Sequence, residues 1–231
     1  MWHHQSKWNA LIGALLVALA SWLLVAGAAN GANKAVNNAA TAASAHSASK
    51  TVLVLGDSLS AEYGLARDSG WVKLLEQRLA KQHIKAKLIN ASISGETSSG
   101  GLVRLPGLLQ LHKPDLVIIE LGANDALRGL SLAATEDNLH TIISLSQRAH
   151  AKILLVGMQI PPNYGRTYSD QFKNLYSKLA HETKSALVPF FMEKIADQPQ
   201  LFQADRLHPT AAAQPLLLDT VWPYLKPLLR P

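Results

Sequence analysis

The sequence contains no cysteine. Disulfide staples, thiolate metal sites, a cysteine nucleophile and lipid attachment to an N-terminal Cys are therefore excluded. Absence of cysteine is also compatible with an oxidising compartment. The histidines outside His208 show no metal-site spacing, so no metal ligand set is expected. Concentrated positive charge is missing too. The net charge is +6, yet the densest basic group, Lys73, Arg78, Lys81, Lys85 and Lys87, straddles a helix end and has no interleaved aromatics. That pattern argues against nucleic-acid binding and leaves a mild attraction to anionic membrane surfaces. No internal repeat and no second folded domain are visible in the 231 residues.

What is present begins with a targeting segment. His3, His4 and Lys7 precede an apolar run over 10–29 that ends in Ala26-Gly27-Ala28, a small-x-small pattern suited to a signal peptidase. Residues 1–28 read as a secretory signal cleaved after Ala28, placing the protein in the periplasm or outside the cell. The alternative is an uncleaved anchor in the inner membrane, because about 20 apolar residues can also span a bilayer. Residues 29–50 are rich in Ala, Asn and Ser and too polar to offset their ordering entropy, which marks a flexible linker.

Residues 51–231 read as one domain in which strands and helices alternate. Strands are expected over 51–55, 86–90, 116–121, 153–158 and 186–188. Helices are expected over 71–81, 100–111, 132–150, 168–184 and 210–228. Pro106 should bend or divide the second helix, Thr210 should cap the last, and Pro215 should disturb it. The strands are continuous apolar runs rather than alternating ones, which implies a parallel sheet covered on both faces. Right-handed crossovers then give an α/β fold of three layers, α/β/α, doubly wound in the flavodoxin-like manner around five parallel strands.

In such a sheet, reactive groups lie on the loops beyond the carboxyl ends of the strands. Those loops read Gly56-Asp57-Ser58, Ser92-Ile93-Ser94-Gly95-Glu96-Thr97 and Gly122-Ala123-Asn124-Asp125, with Asp205-Arg206-Leu207-His208-Pro209 near the end of the chain. Taken alone, Asp57-Ser58 is equally a turn or helix cap and a nucleophile site. Together the four loops supply a hydroxyl, a base, an orienting acid and candidate oxyanion donors. Two familiar alternatives fail. Gly56-x-Ser58-x-Ser60 lacks the second Gly of the G-x-S-x-G elbow, and the span Gly95 to Gly101 has no Lys at the P-loop position.

The stretches GDSLSAEYG at 56–64, NASISGETSSGG at 90–101, ELGANDALRG at 120–129, PPNYGRTY at 161–168, PFFME at 189–193 and DRLHP at 205–209 resemble the SGNH (GDSL-type) serine hydrolases. Within that family they are most similar to the bacterial periplasmic thioesterase, protease and lysophospholipase group. The resemblance covers roughly 51–228 and implies the SGNH-hydrolase fold. It implies Ser58 as nucleophile, His208 as base and Asp205 as the acid that orients it. The backbone N–H groups of Ser58 and Gly95 and the Asn124 amide become the oxyanion hole. Leu59, Leu127, Leu130, Ile160, Pro161 and Tyr164 are candidates for lining an acyl site. The implied activity is cofactor-free hydrolysis of fatty-acyl esters, thioesters or lysophospholipids by a monomer, with possible association with a membrane surface. Two alternatives are O-deacetylation of cell-wall or plant polysaccharide and a catalytically silent binding protein. Asp57, Glu96 and Asp125 are expected to support loops or lie at the surface. Glu62 is a candidate for tuning which acyl or headgroup is tolerated.

Overall fold

The computed structural model of the protein describes residues 49–230, so the leader and all but the last two residues of the linker lie outside the described residues. Five strands form one sheet: β1 (Lys50–Gly56), β2 (Ala86–Asn90), β3 (Leu116–Glu120), β4 (Lys152–Val156) and β5 (Ala186–Val188). Every pairing is parallel and the order is β2-β1-β3-β4-β5. Six helices accompany them: α1 (Trp71–Lys81), α2 (Ser98–His112), α3 (Ala123–Leu127), α4 (Leu132–Arg148), α5 (Arg166–Thr183) and α6 (Gln214–Leu225). Helix α1 packs on α6, while α4 packs on both α2 and α5, which makes the two outer layers.

Burial explains which strands are central. Val52, Leu53, Val54 and Leu55 of β1 and all of β3 are buried, as are Ile153 to Val156 of β4. Each such aliphatic side chain contributes roughly 1.5–3 kcal/mol relative to an exposed one. Strand β2 is only half-buried, with Lys87 and Asn90 exposed at an edge. The connection from β2 crosses back over β1 to reach β3, so the strand order reverses between β1 and β3. A crevice opens beyond the carboxyl ends of strands at such a switch point. Ser58 follows β1 there and Asn124 follows β3. No helix among the described residues is long and apolar enough to cross a membrane.

Several local expectations are corrected. Helix α2 runs unbroken through Pro106. Pro106 is on the solvent face, where water can satisfy the carbonyl that loses its donor. Helix α2 also starts at Ser98 because the Thr97 hydroxyl accepts from the Gly100 N–H at 3.2 Å. The Thr210 hydroxyl makes no cap bond and has no partner among the described residues. A 3₁₀ turn over Ala211–Ala213 intervenes, and Pro215 sits in the first turn of α6, where its missing N–H costs nothing.

Gly122 links β3 to α3 with φ of 109°, a left-handed conformation that a Cβ disfavours. A Cβ there would lie 2.6 Å from the Tyr176 hydroxyl, which donates to the Leu121 carbonyl at 2.9 Å. Gly122→Ala should therefore lower stability by roughly 1–3 kcal/mol. Urea unfolding measures this, and an unchanged midpoint would contradict the packing described.

Candidate active site

The turn after β1 is held from within. The Asp57 carbonyl accepts from the N–H groups of Ser60 and Ala61 at 3.3 and 2.9 Å. The Asp57 carboxylate accepts from Leu59 N–H and from Asn124 Nδ2, both at 3.0 Å. Asp57 thus supports the turn and leaves the Ser58 hydroxyl free to face outward.

That hydroxyl meets His208. Ser58 Oγ lies 2.9 Å from His208 Nε2, and His208 Nδ1 lies 2.7 Å from Asp205 Oδ2. The other Asp205 oxygen accepts from the backbone N–H groups of Leu207 and His208 at 2.9 and 3.0 Å. Those bonds, the one from the His208 N–H foremost, lower the Asp205 pKa to about 2. Asp205 is therefore ionised across the working range and accepts the Nδ1 proton, which leaves the Nε2 lone pair toward Ser58. Its contribution to stability is present above the ordinary value of 3.8 and is lost as pH falls toward 2.

The loop that carries these two residues is stitched in place. Arg206 turns the chain with φ of 59°. Gln203 Nε2 donates to the carbonyls of Tyr63 and Pro209, and Gln203 N–H to the His208 carbonyl. The Tyr63 ring stands 4.3 Å from the imidazole, centroid to centroid. Sequence reasoning passed over Tyr63 and Gln203, since nothing local marks a residue whose role is to hold a distant loop.

The three expected oxyanion donors lie in different settings. Among the described residues, neither the Ser58 nor the Gly95 N–H has an acceptor. Gly95 has φ of 78°, and its carbonyl accepts from Arg128 Nη2 at 2.9 Å. Asn124 is in the first turn of the short helix α3 rather than in a loop, a correction to the reading of Gly122 as the start of a loop. Its Nδ2 donates to Asp57 Oδ2 and to the Glu96 carbonyl, both at 3.0 Å. Both amide hydrogens are thus engaged.

The other acids are structural. Asp125 is buried and accepts from the Ser98 N–H and hydroxyl at 2.8 and 2.6 Å, while Glu96 pairs with Arg104 Nε at 2.7 Å. The Glu62 carboxylate accepts from the N–H groups of Asp68 and Gly70 and so closes its own loop. Glu120 was missed altogether. It is a buried acid at the end of an otherwise apolar strand, and that pattern was the available signal.

Ser58 and His208 open onto a cavity of about 760 Å³. Leu59, Leu127, Ile160 and Pro161 line it; Tyr164 and Leu130 do not and are 42 % and 43 % exposed. Gly95 also lies outside the lining. Phe190, Met192 and Phe202 complete the apolar wall from segments that the sequence placed only as loops.

A model of the GDSL-like lipase/acylhydrolase family matches residues 54–215. The chain is 51% identical over 182 residues to the esterase TesA of Pseudomonas aeruginosa, covering 79% of this chain and 90% of that one. It is 44% identical to thioesterase 1/protease 1/lysophospholipase L1 of Escherichia coli, covering 79% and 86%. Among solved structures it resembles the psychrotrophic esterase EstA from a Pseudoalteromonas species, inhibited there by monoethylphosphonate. That match has a TM-score of 0.75 at 46% identity and covers 78% of this chain and 98% of that one.

Asp205→Asn keeps the shape of the side chain but lets the imidazole take the wrong tautomer. Turnover of a soluble ester should fall on the order of 10⁴-fold with the fold intact by circular dichroism. A variant with wild-type turnover would remove Asp205 from the reaction.

Proposed function

The chain belongs to the GDSL-like lipase/acylhydrolase family, and we propose that it hydrolyses ester and thioester bonds of acyl substrates through a covalent acyl-enzyme on Ser58. The observation that carries this is the 2.9 Å contact of Ser58 Oγ with an imidazole whose far nitrogen is held by an ionised carboxylate. A serine hydroxyl at its ordinary pKa is a weak nucleophile and needs such a base.

Ser58 Oγ attacks the substrate carbonyl carbon as its proton passes to His208 Nε2. Asp205 stabilises the imidazolium that forms. The carbonyl oxygen gains the negative charge and is met by the Ser58 and Gly95 N–H groups, which have no other acceptor among the described residues. The Asn124 amide joins them by sharing a hydrogen now given to Asp57 or to the Glu96 carbonyl. Collapse of the intermediate breaks the bond to the alkoxide or thiolate, which leaves with the proton from His208 Nε2. Water then repeats the sequence on the acyl-Ser58 carbonyl, with His208 as base, and releases the acid and free Ser58.

The cavity supports an acyl chain as the recognised group. An acetyl group would leave most of about 760 Å³ and its apolar walls unused. This favours fatty-acyl substrates over the polysaccharide O-acetyl alternative.

A panel of soluble esters and thioesters of increasing acyl length tests the reading. Each methylene buried in the cavity is worth about 0.8 kcal/mol, so kcat/KM should rise roughly fourfold per carbon until the cavity is filled. Activity confined to acetyl esters and falling by butyrate would support the deacetylase instead.

A further inference from the structure

Beneath the nucleophile turn is a carboxyl that the reaction above does not use. Glu120 ends β3 and is 3 % exposed. Its Oε2 accepts from the Asp57 N–H at 3.3 Å and from the Ser60 hydroxyl at 2.8 Å. Ser60 Oγ in turn accepts from Trp71 Nε1 at 3.2 Å. Gly56 leaves the space this requires, because a Cβ there would lie 2.9 Å from Oε2. The strand end, the turn and the start of α1 therefore converge on one oxygen of one side chain.

Asp57, 1 % exposed, is the other buried acid here, and its N–H is one of the two donors to Glu120 Oε2. Two buried carboxyls beside each other disfavour a charge on both. Burial, and then the charge on Asp57, push the Glu120 pKa well above the ordinary range. Burial also raises Asp57, to about 6, against the bonds it accepts from Leu59 N–H and Asn124 Nδ2. The Tyr176 hydroxyl from α5 also interacts with this pair, as does, through Asp57, His208; Asp125 from α3 acts on that hydroxyl. None but His208 can contribute a positive charge, so a second negative charge on the pair would be uncompensated.

We propose that Glu120 is a positioning residue of the hydrolysis: by accepting from the Asp57 N–H and the Ser60 hydroxyl it fixes the Ser58 turn and, through Asp57, the Asn124 amide. This rests on the reading of Ser58 as the nucleophile. Glu120 touches neither substrate nor reacting atoms. Its effect is geometric, since Asp57 orients an oxyanion donor with one end and precedes the nucleophile with the other.

The test compares Glu120→Gln and Glu120→Ala in the full chain, on a short soluble ester, well below each variant's Tm. Glutamine keeps, through its amide oxygen, the bonds from the Asp57 N–H and the Ser60 hydroxyl, so kcat should stay within about threefold of wild type. Alanine removes both and should lower kcat about 10²-fold with KM within about twofold, because the loss is of geometry in the transition state. Wild-type kcat in folded Glu120→Ala, or equal losses in both variants, would overturn the proposal. A titration of the wild type, ¹³C-labelled at its glutamate carboxyls and followed by NMR, covers the case in which alanine does not fold. Glu120 should remain protonated well above pH 4.5, its ordinary value; ionisation near pH 4.5 would refute the dry, enclosed placement against Asp57 and Ser60 that the proposal rests on. Because a raised pKa costs stability as pH rises above the ordinary value, Glu120→Gln should gain on wild type in Tm as pH rises from 4.5. Failure of the Ser58 reading would show separately as turnover that survives Ser58→Ala, whereas the NMR and Tm arms are indifferent to it.

Discussion

The bond between Ser58 Oγ and His208 Nε2 joins residues 150 positions apart, and most of the structure can be understood as what that 2.9 Å requires. One partner is fixed by the sheet, since β1 is flanked by β2 and β3 and its buried aliphatics leave Gly56-Asp57-Ser58 at the switch point. The other rides on a loop with no regular structure, and such a loop holds position only by local bonds. Gln203 supplies them to Tyr63, Pro209 and His208, and Asp205 caps the two N–H groups that follow it. A rigid element therefore carries Ser58 and a braced loop carries His208.

Three carboxyls near this contact behave differently because their surroundings differ. Asp205 is partly exposed and accepts backbone donors, so it is an anion throughout the working range. Asp57 is buried and raised to about 6, yet accepts two bonds that favour its charge. Glu120 is buried beside Asp57, and burial and that charge push its pKa well above the ordinary range. Environment thus separates three carboxyl groups into an orienting anion, a turn holder and a buried brace.

Much of this was legible in the sequence because the signals were local. The apolar runs at β1 and β3, the helical spacing of Trp71, Leu75 and Leu79, and the short strands β2 and β5 were placed to within a residue or two. The four loops were read from residue types that only their chemistry links, and the structure brings Ser58, His208 and Asp205 into hydrogen-bond contact. What escaped was non-local. Helix α3 is five residues long and carries no periodicity, so Gly122 read as the start of a loop. Tyr164 looked like a pocket aromatic but faces solvent, while Phe190, Met192 and Phe202 reach the cavity from irregular segments. Pro106 and Pro215 were read as breakers, whereas one faces water and the other begins a helix. Glu120 needed three dimensions, because its partners come from the turn after β1 and reach α1 through Ser60.

If Ser58 forms a covalent bond to the reacting centre with His208 as its base, intact-protein mass spectrometry after exposure to a fluorophosphonate, followed by peptide mapping, will find a single adduct on the peptide containing Ser58. That adduct will be absent from Ser58→Ala and formed far more slowly in His208→Ala. An adduct of equal yield on Ser58→Ala, or on another residue of the wild type, would contradict that chemistry.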